Sequence, residues 1–500
     1  MNSDTRKRIY YNISVSGITQ IIILILSFFV PRFFISNYGS DANGLVGTIM
    51  QVLTYVALIE AGIGATTQNA LYKPISNNDK NQVCIILSLS KKYYERVTVY
   101  YFMTVIVVSF LLPLIIKSEI NYWKIFTIIL LEGISGVINF LFLEHWKILM
   151  STEGKDYICA KIDMLTKVLT YLVKLVLVLM MFDIIIIQSS YLVITLFSLC
   201  IYRYYIRKEY SWVHFTNQRM HIREFNDRKY YVLSDVAWTI FLSTDMVIIS
   251  TLMNTTYASV YAIYNMVYNA ISNILFKIYS STTYILGQNY HKDTEKYVKI
   301  HDSYELCFIM IVSILMSCCS ILMIPFVELY TSGVTDTDYI YKFFPFLFGL
   351  IQILSWARYV SGNLMLIAGK SKQGAKYSII EASLNVIMSI ILCFAFGIYG
   401  LLIATIIALS YKVVCLTIYA NCLILKRSAR ETSKRIISNL FIYISIEFFS
   451  WCYPLKISTI SQFILDGFVT LLFILCYYLL VNIIINYKSI NKVFAFLSNR

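Results

Sequence analysis

Apolar residues in this chain come in blocks of about 20, the length at which a helix crosses a bilayer core of roughly 30 Å. Short polar joints separate the blocks. Fourteen such blocks fit along the 500 residues and take up a little over half of them. The remainder forms short loops, so no soluble catalytic domain has room. Charged residues are 14% of the chain, against about 25% in soluble globular proteins.

The net charge of +14 raises the question of nucleic acid, and its distribution answers it. With Met1 placed in the cytoplasm, 32 of the 42 Lys and Arg fall in inner segments. Arg32, Lys117, Lys124, Lys342 and Lys456 fall outside, while Lys167, Lys174, Lys277, Arg358 and Lys412 lie within helices. That is the positive-inside pattern held over every loop, so the basicity reads as topology with some attraction to anionic membrane lipids. No nucleic-acid partner is expected. The 11 cysteines are scattered without a CxxC pair and read as small packing residues. MNSDTRKR precedes an apolar run with no small-residue cleavage site, so this run is read as the first span, not a signal peptide.

Taken in order, spans are expected near Ile9 to Val30, Asn43 to Leu71, Val97 to Ile116, Tyr122 to Leu149, Ile162 to Phe182, and on to Tyr205. The second half repeats the plan at Tyr230 to Met253, Tyr257 to Leu286, Tyr304 to Val327, Phe343 to Ala368, Tyr377 to Phe396 and Gly400 to Leu425. Two more spans follow, Ile436 to Tyr453 and Ile460 to Ile485. Residues 73–96 read as a polar inner loop, and the longest basic segment, Arg203 to Lys229, separates the halves. The expected fold is an all-α integral membrane protein of 14 transmembrane helices. Its divisions are a six-helix lobe (1–215), a second (216–425), and two extra helices (426–500), with both termini cytoplasmic.

The stretch Asp41 to Lys80 returns 214 positions later at Thr255 to Thr294. At that constant offset Val46 falls on Val260, Ile49 on Ile263, Thr66-Thr67 on Ser280-Ser281 and Asp79 on Asp293. Two membrane halves built alike, with polar groups on the second helix of each, suggest a transporter with its path between the halves.

Ionisable groups placed mid-span are the sharpest functional signal. A charge at the bilayer centre costs on the order of 2.5–3.5 kcal/mol on insertion scales, so each needs a partner or a wet cavity. Lys167 and Lys174 share a face of the fifth span with Tyr171 between them. The eighth span carries Asn265, Asn269 and Ser272 in one stripe, with Lys277 toward its inner end. Arg358 lies in the tenth beside Trp356 and Tyr359, and Lys412 in the twelfth. The acids are Glu60, Glu132, Glu144, Asp235, Asp245, Glu381 and Glu447. Asp235, Lys277 and Glu144 are equally well read as interfacial, snorkelling to the headgroups.

Several motifs fail. Gly369-Lys370-Ser371 resembles the end of a phosphate-binding loop, but Leu364 stands where its first glycine belongs. The five histidines show no HExxH spacing. No cofactor and no metal are expected, and no catalytic residue.

The chain resembles the polysaccharide-transporter branch of the multidrug/oligosaccharidyl-lipid/polysaccharide (MATE-like) exporter superfamily, the O-antigen type flippases. The likeness lies in SNYGSDANGLVGTIMQ and LIEAGIGATTQNALYKPI around the first two spans. It returns in DMVIISTLMNTTYASVYAIYN around the seventh and eighth, and in LMLIAGKSKQGAKYS after the tenth. The resemblance implies a flippase of the bacterial cytoplasmic membrane. Its cargo would be a polyprenyl-pyrophosphate-linked oligosaccharide, the repeat unit of O-antigen, capsule or exopolysaccharide, moved by alternating access. It also implies H+ or Na+ as coupling ion, and a polysaccharide polymerase and glycosyltransferases as partners. On this reading Lys167, Lys174, Lys277, Arg358, Lys412, Asn265 and Asn269 face the pyrophosphate-sugar head group. Glu60, Asp235, Asp245 and Glu381 couple or pair with the bases, and the last two helices offer a groove for the polyprenyl tail. The alternative is an ion-coupled multidrug exporter of the same superfamily. The first span carries no carboxylate, which counts against it, while Glu60 favours it. A membrane-embedded enzyme of envelope assembly is disfavoured, since no His/Asp/Glu cluster shares an outer loop.

Overall fold

A computed structural model describes residues 3–216, 229–292, 294–455 and 457–487. The basic run 217–228, Lys456, Lys488, Lys492 and Arg500 lie outside the described residues, as does the expected lobe boundary from residue 217 on. The described chain is all helix, and eight of its helices are long and apolar enough to cross a membrane. It divides into two compact units, Met1–Ser259 and Val260–Arg500.

The first unit opens with α1 (Ser3–Ala57), two expected spans drawn as one helix and broken at Gly39, whose φ of 84° and ψ of 168° leave helical space. Pro31 does not end the first span; it sits inside the helix, because neighbouring helices in a membrane protein can re-satisfy the carbonyl it frees. The break falls instead where glycine allows positive φ. The second span is also interrupted. After a 3-10 turn, Leu58–Glu60, Gly62 takes φ 88° and starts α2 (Ile63–Ser76). Next, α3 (Lys80–Ile115) begins far inside the residues expected to form a polar loop. Asp79 caps it by accepting from the Gln82 amide, and Val83, Ile86, Leu87, Ser90 and Tyr94 bury one stripe. That stripe has helical spacing, a pattern the surrounding lysines obscure.

The fourth span is α4 (Tyr122–Ile138) and α5 (Glu144–Thr152), joined through a π-turn at Asn139–Leu143. Then come α6 (Asp156–Leu179), α7 (Ile184–Glu209) and α8 (Lys229–Ile248), the last extended by a second π-turn at Ile249–Met253. Asn121 and Asp183 cap α4 and α7 through their side chains. Leu45, Ile49, Leu87, Tyr94, Ile128 and Leu149 are among the residues that close the core of this unit.

The boundary between units falls within α9 (Thr255–Lys292). The second unit continues through α10 (Thr294–Tyr330), α11 (Phe344–Ile367), α12 (Ser371–Ile418), α13 (Arg430–Cys452) and α14 (Ile460–Ile485). Again α12 holds two expected spans, broken at Gly397 with φ 57° and ψ −139°. Tyr264, Tyr268, Phe344 and Phe348 stack along the α9–α11 seam. The Tyr268 hydroxyl donates to the Pro345 carbonyl at 2.7 Å. A separate core joins α10, α13 and α14 through Ile314, Ile442, Ile446, Ile474 and Tyr478.

The helices absent from the eight apolar ones include α6, α9, α11 and α13. These carry Lys174, Asn265 with Asn269, Arg358 and Glu447 respectively. Ile464, Phe468 and Ile484 on α14 stay exposed, as a lipid-facing helix requires.

Candidate functional site

The strongest concentration of buried charge lies in the second unit, on α11 and the two halves of α12. Arg358, Glu381 and Lys412 are all buried, Glu381 completely. Arg358 Nη1 donates to Glu381 Oε1 at 2.5 Å, and Lys412 Nζ donates to Glu381 Oε2 at 2.5 Å. Each carboxylate oxygen therefore takes one cation, and two positive charges face one negative. Arg358 is also held by the Ser355 carbonyl, 3.2 Å from Nε, and its guanidinium lies 5.3 Å from the centre of the Tyr359 ring. One turn from Glu381, the Asn385 amide donates to Thr405 across the same helix pair at 3.0 Å.

The hairpin geometry explains the meeting. Glu381 stands 16 residues before Gly397 and Lys412 stands 15 after it. At 1.5 Å per residue both lie about 23 Å from the bend, at one depth. The two residues were singled out from the sequence as separate groups. Counting outward from the glycine that breaks the helix would have paired them.

In the first unit Lys174 (α6) reaches between α4 and α7. Its Nζ lies 3.7 Å from Glu132 Oε1, donates to Gln188 Oε1 at 2.7 Å, and sits 5.7 Å from the centre of the Tyr191 ring. Here cation and anion are matched one to one. Glu60 occupies the break in the second span, where it accepts from the Tyr94 hydroxyl at 2.7 Å. On the neighbouring helices Glu144 pairs with Lys147 at 3.7 Å, and Lys147 with Asp163 at 3.5 Å.

The remaining residues singled out from the sequence are dispersed. Lys167, Lys277, Asn269 and Asp235 are exposed, Asn265 is half-buried and Asp245 is buried in α8. Ser272, from the same stripe as the asparagines, donates to Gln352 at 2.8 Å and accepts from Trp356 Nε1 at 3.3 Å. That makes it a helix-to-helix strut.

One cluster escaped the sequence reading. His301, Asp302 and Glu305 on α10 bring their donor atoms within 4.8 Å of one another, as a metal site would. Arginines occupy the acids instead. Arg427 forks onto Asp302 at 2.7 and 2.9 Å, and Arg435 reaches Glu305 at 2.6 Å. Counting Arg427 and Arg435 toward topology hid this, although Asp302 and Glu305 at i, i+3 share a helix face. The arrangement suits a strap holding α13 to α10 better than an ion.

No protein-family model matches the chain, and no curated protein sequence matches it. Solved structures do. A lipid II flippase, MurJ, in an inward closed conformation superposes with a TM-score of 0.71 at 13% identity, covering 95% of this chain and 99% of that one. An inward-facing multidrug resistance MATE family transporter of the MOP superfamily gives 0.62 at 14% identity, covering 83% of this chain and 99% of its own. The MATE multidrug transporter DinF-BH, in complex with R6G, gives 0.61 at 15% identity, covering 83% and 96%. The fold is therefore of the MATE/MurJ kind, as expected from the sequence.

Proposed function

We propose that the protein is a flippase that carries a polyprenyl-pyrophosphate-linked oligosaccharide across the cytoplasmic membrane by alternating access. The observation that carries this reading is the convergence of two buried bases, Arg358 and Lys412, on the two oxygens of one carboxylate, Glu381. Two bases brought together at one buried point offer an incoming anion charge-assisted hydrogen bonds in a site that excludes water. Pyrophosphate brings two or more negative charges and matches the guanidinium fork and the lysine point charge. In the absence of substrate Glu381 holds both bases in register, which makes the paired triad the resting state. Lys174 on Glu132 is the corresponding resting pair of the first unit.

The breadth of the superposition supports the same choice. The lipid II flippase accounts for 95% of this chain, the multidrug transporters for 83%. Multidrug export remains the second reading, favoured by Glu60, a carboxylate at a helix break held by one tyrosine. A cationic drug would meet repulsion at the triad. Proteoliposomes loaded with a polyprenyl-pyrophosphate sugar, beside drug-efflux measurements in cells, distinguish the two. The flippase reading expects lipid translocation and no efflux; efflux without translocation overturns it.

A further inference from the structure

The run from Lys426 to Phe441, which includes the start of α13, holds five bases and one acid, Glu431. Two of the bases are spent inside the protein, Arg427 on Asp302 and Arg435 on Glu305. The Arg430 side chain has neither a hydrogen bond nor an ion pair among the described residues. Lys434 donates to the Ile485 carbonyl at the end of α14 at 2.7 Å. That bond fixes its ammonium group and leaves two of its three donors. Arg430 and Lys434 are both exposed, and with Ser433, Ile437, Phe441 and Ile485 they line one hollow of about 470 Å³. Glu431 does not line it.

Spaced at i, i+4, i+7 and i+11, Arg430, Lys434, Ile437 and Phe441 form one stripe of α13. Arg435, Ile442 and Ile446 turn a different face toward α10. The stripe is thus two bases followed by two exposed apolar side chains. It runs about 16 Å along the helix, close to one leaflet of a hydrocarbon core roughly 30 Å thick. A basic head and an apolar lane of that length match an amphiphile with an anionic head group and a chain one leaflet long. This is not the groove expected to hold the cargo's tail. The apolar hollow walled by Phe449, Tyr453 and Phe473 lies at the other end of the same two helices.

We propose that the hollow at Arg430 and Lys434 binds an anionic phospholipid of the surrounding bilayer. Its phosphate sits between the two bases and one acyl chain lies along Ile437 and Phe441. Because Lys434 already reaches from α13 to α14, the lipid is held where the two helices meet.

Native mass spectrometry of the purified full-length protein, with phosphatidylglycerol and phosphatidylcholine added at equal concentration, tests it. The wild type is expected to retain phosphatidylglycerol over phosphatidylcholine. Arg430→Gln should weaken phosphatidylglycerol binding about fivefold, the effect of one base beside an anionic lipid surface. Lys370→Gln, which removes an exposed base that does not line the hollow, should bind as wild type. Equal retention of the two lipids, unchanged binding in Arg430→Gln, or an equal loss in Lys370→Gln overturns the proposal. Phe441→Ser tests the acyl lane and carries the test if Arg430→Gln does not fold. A several-fold loss is expected, and wild-type affinity overturns the proposal. Inorganic phosphate and a polyprenyl phosphate, each added at the concentration of the phospholipid, should leave phosphatidylglycerol bound. One-for-one displacement by either would make the hollow a site for free phosphate or for the cargo, and the proposal would fall.

Discussion

The hydroxyl of Thr255 donates to the carboxylate of Asp41, and the two residues are 214 positions apart. That is the offset at which the second repeat follows the first, so the contact joins the opening positions of the two related stretches. Asp41 also accepts from the Ser118 hydroxyl at 2.8 Å and the Glu119 amide at 3.1 Å. One carboxylate thereby fastens the second span to the α3–α4 turn and to the start of α9. Asp41→Ala removes an acceptor from all three. The Ser118 and Glu119 donors have access to water and the buried Thr255 hydroxyl still has the Lys117 carbonyl at 3.3 Å, so the loss is about 1 kcal/mol, the ordinary net worth of such bonds. Thermal unfolding of the purified protein is expected to show a small Tm drop for Asp41→Ala. Asp41→Asn, which keeps one acceptor oxygen, should lose less.

Next to it, Gly44 lets the second span run against the backbone of α9. A Cβ at this position would fall on the Thr255 carbonyl, which, unlike a side chain, cannot swing aside. Small residues at helix crossings permit this kind of approach in membranes. Gly44→Val is therefore expected to abolish accumulation of folded protein. Gly287→Ala, with nothing within 4 Å of its added carbon, should accumulate as wild type. Fluorescence-detected size exclusion of the two variants checks the contrast.

How much of this was legible beforehand differs by level. Spans followed from apolar length alone, because hydrocarbon leaves the backbone no other option. The helix breaks were less legible. Pro31, just after the expected end of the first span at Val30, lies inside the helix, while Gly39 and Gly62 carry the positive φ that bends the chain. A glycine's conformation is set by what surrounds it, which composition does not record. Lysines at 80, 91 and 92 hid the helical stripe of α3 for a similar reason. Arg358, Glu381 and Lys412 were each visible as charges inside apolar runs. Their common meeting point was not, since it depends on where α12 folds back at Gly397.

The one-to-one pair in the first unit gives a clean test of structure against transport. Lys174→Met strands Glu132 and Glu132→Gln strands Lys174, and breaking a buried pair costs roughly 3–5 kcal/mol. Each single variant is expected to reduce membrane insertion, with Lys174→Ala impairing transport further than insertion. The double variant carries no stranded charge, so its insertion should recover toward wild type. Transport should stay low in the double variant, as measured by lipid translocation in proteoliposomes. Recovery of both together would make Lys174 a structural strut and nothing more.

The triad predicts the opposite asymmetry. Because Arg358 and Lys412 share one acid, removing Lys412 leaves Arg358 and Glu381 as a neutral pair, whereas removing the acid leaves two buried cations facing each other. Lys412→Met is therefore expected to insert normally, and Glu381→Gln to be lost from the membrane. Arg358→Ala should resemble Lys412→Met, with a larger packing penalty because its guanidinium also lies beside Tyr359. If an anionic head group is what the two bases receive, Lys412→Met and Arg358→Ala should each reduce translocation about tenfold or more, the effect of about 1.4 kcal/mol of lost binding. Quantitative membrane blots measure insertion, and the proteoliposome assay measures translocation. Wild-type translocation in both well-inserted variants would mean that the positive charge serves helix packing, and the anionic cargo would have to be given up.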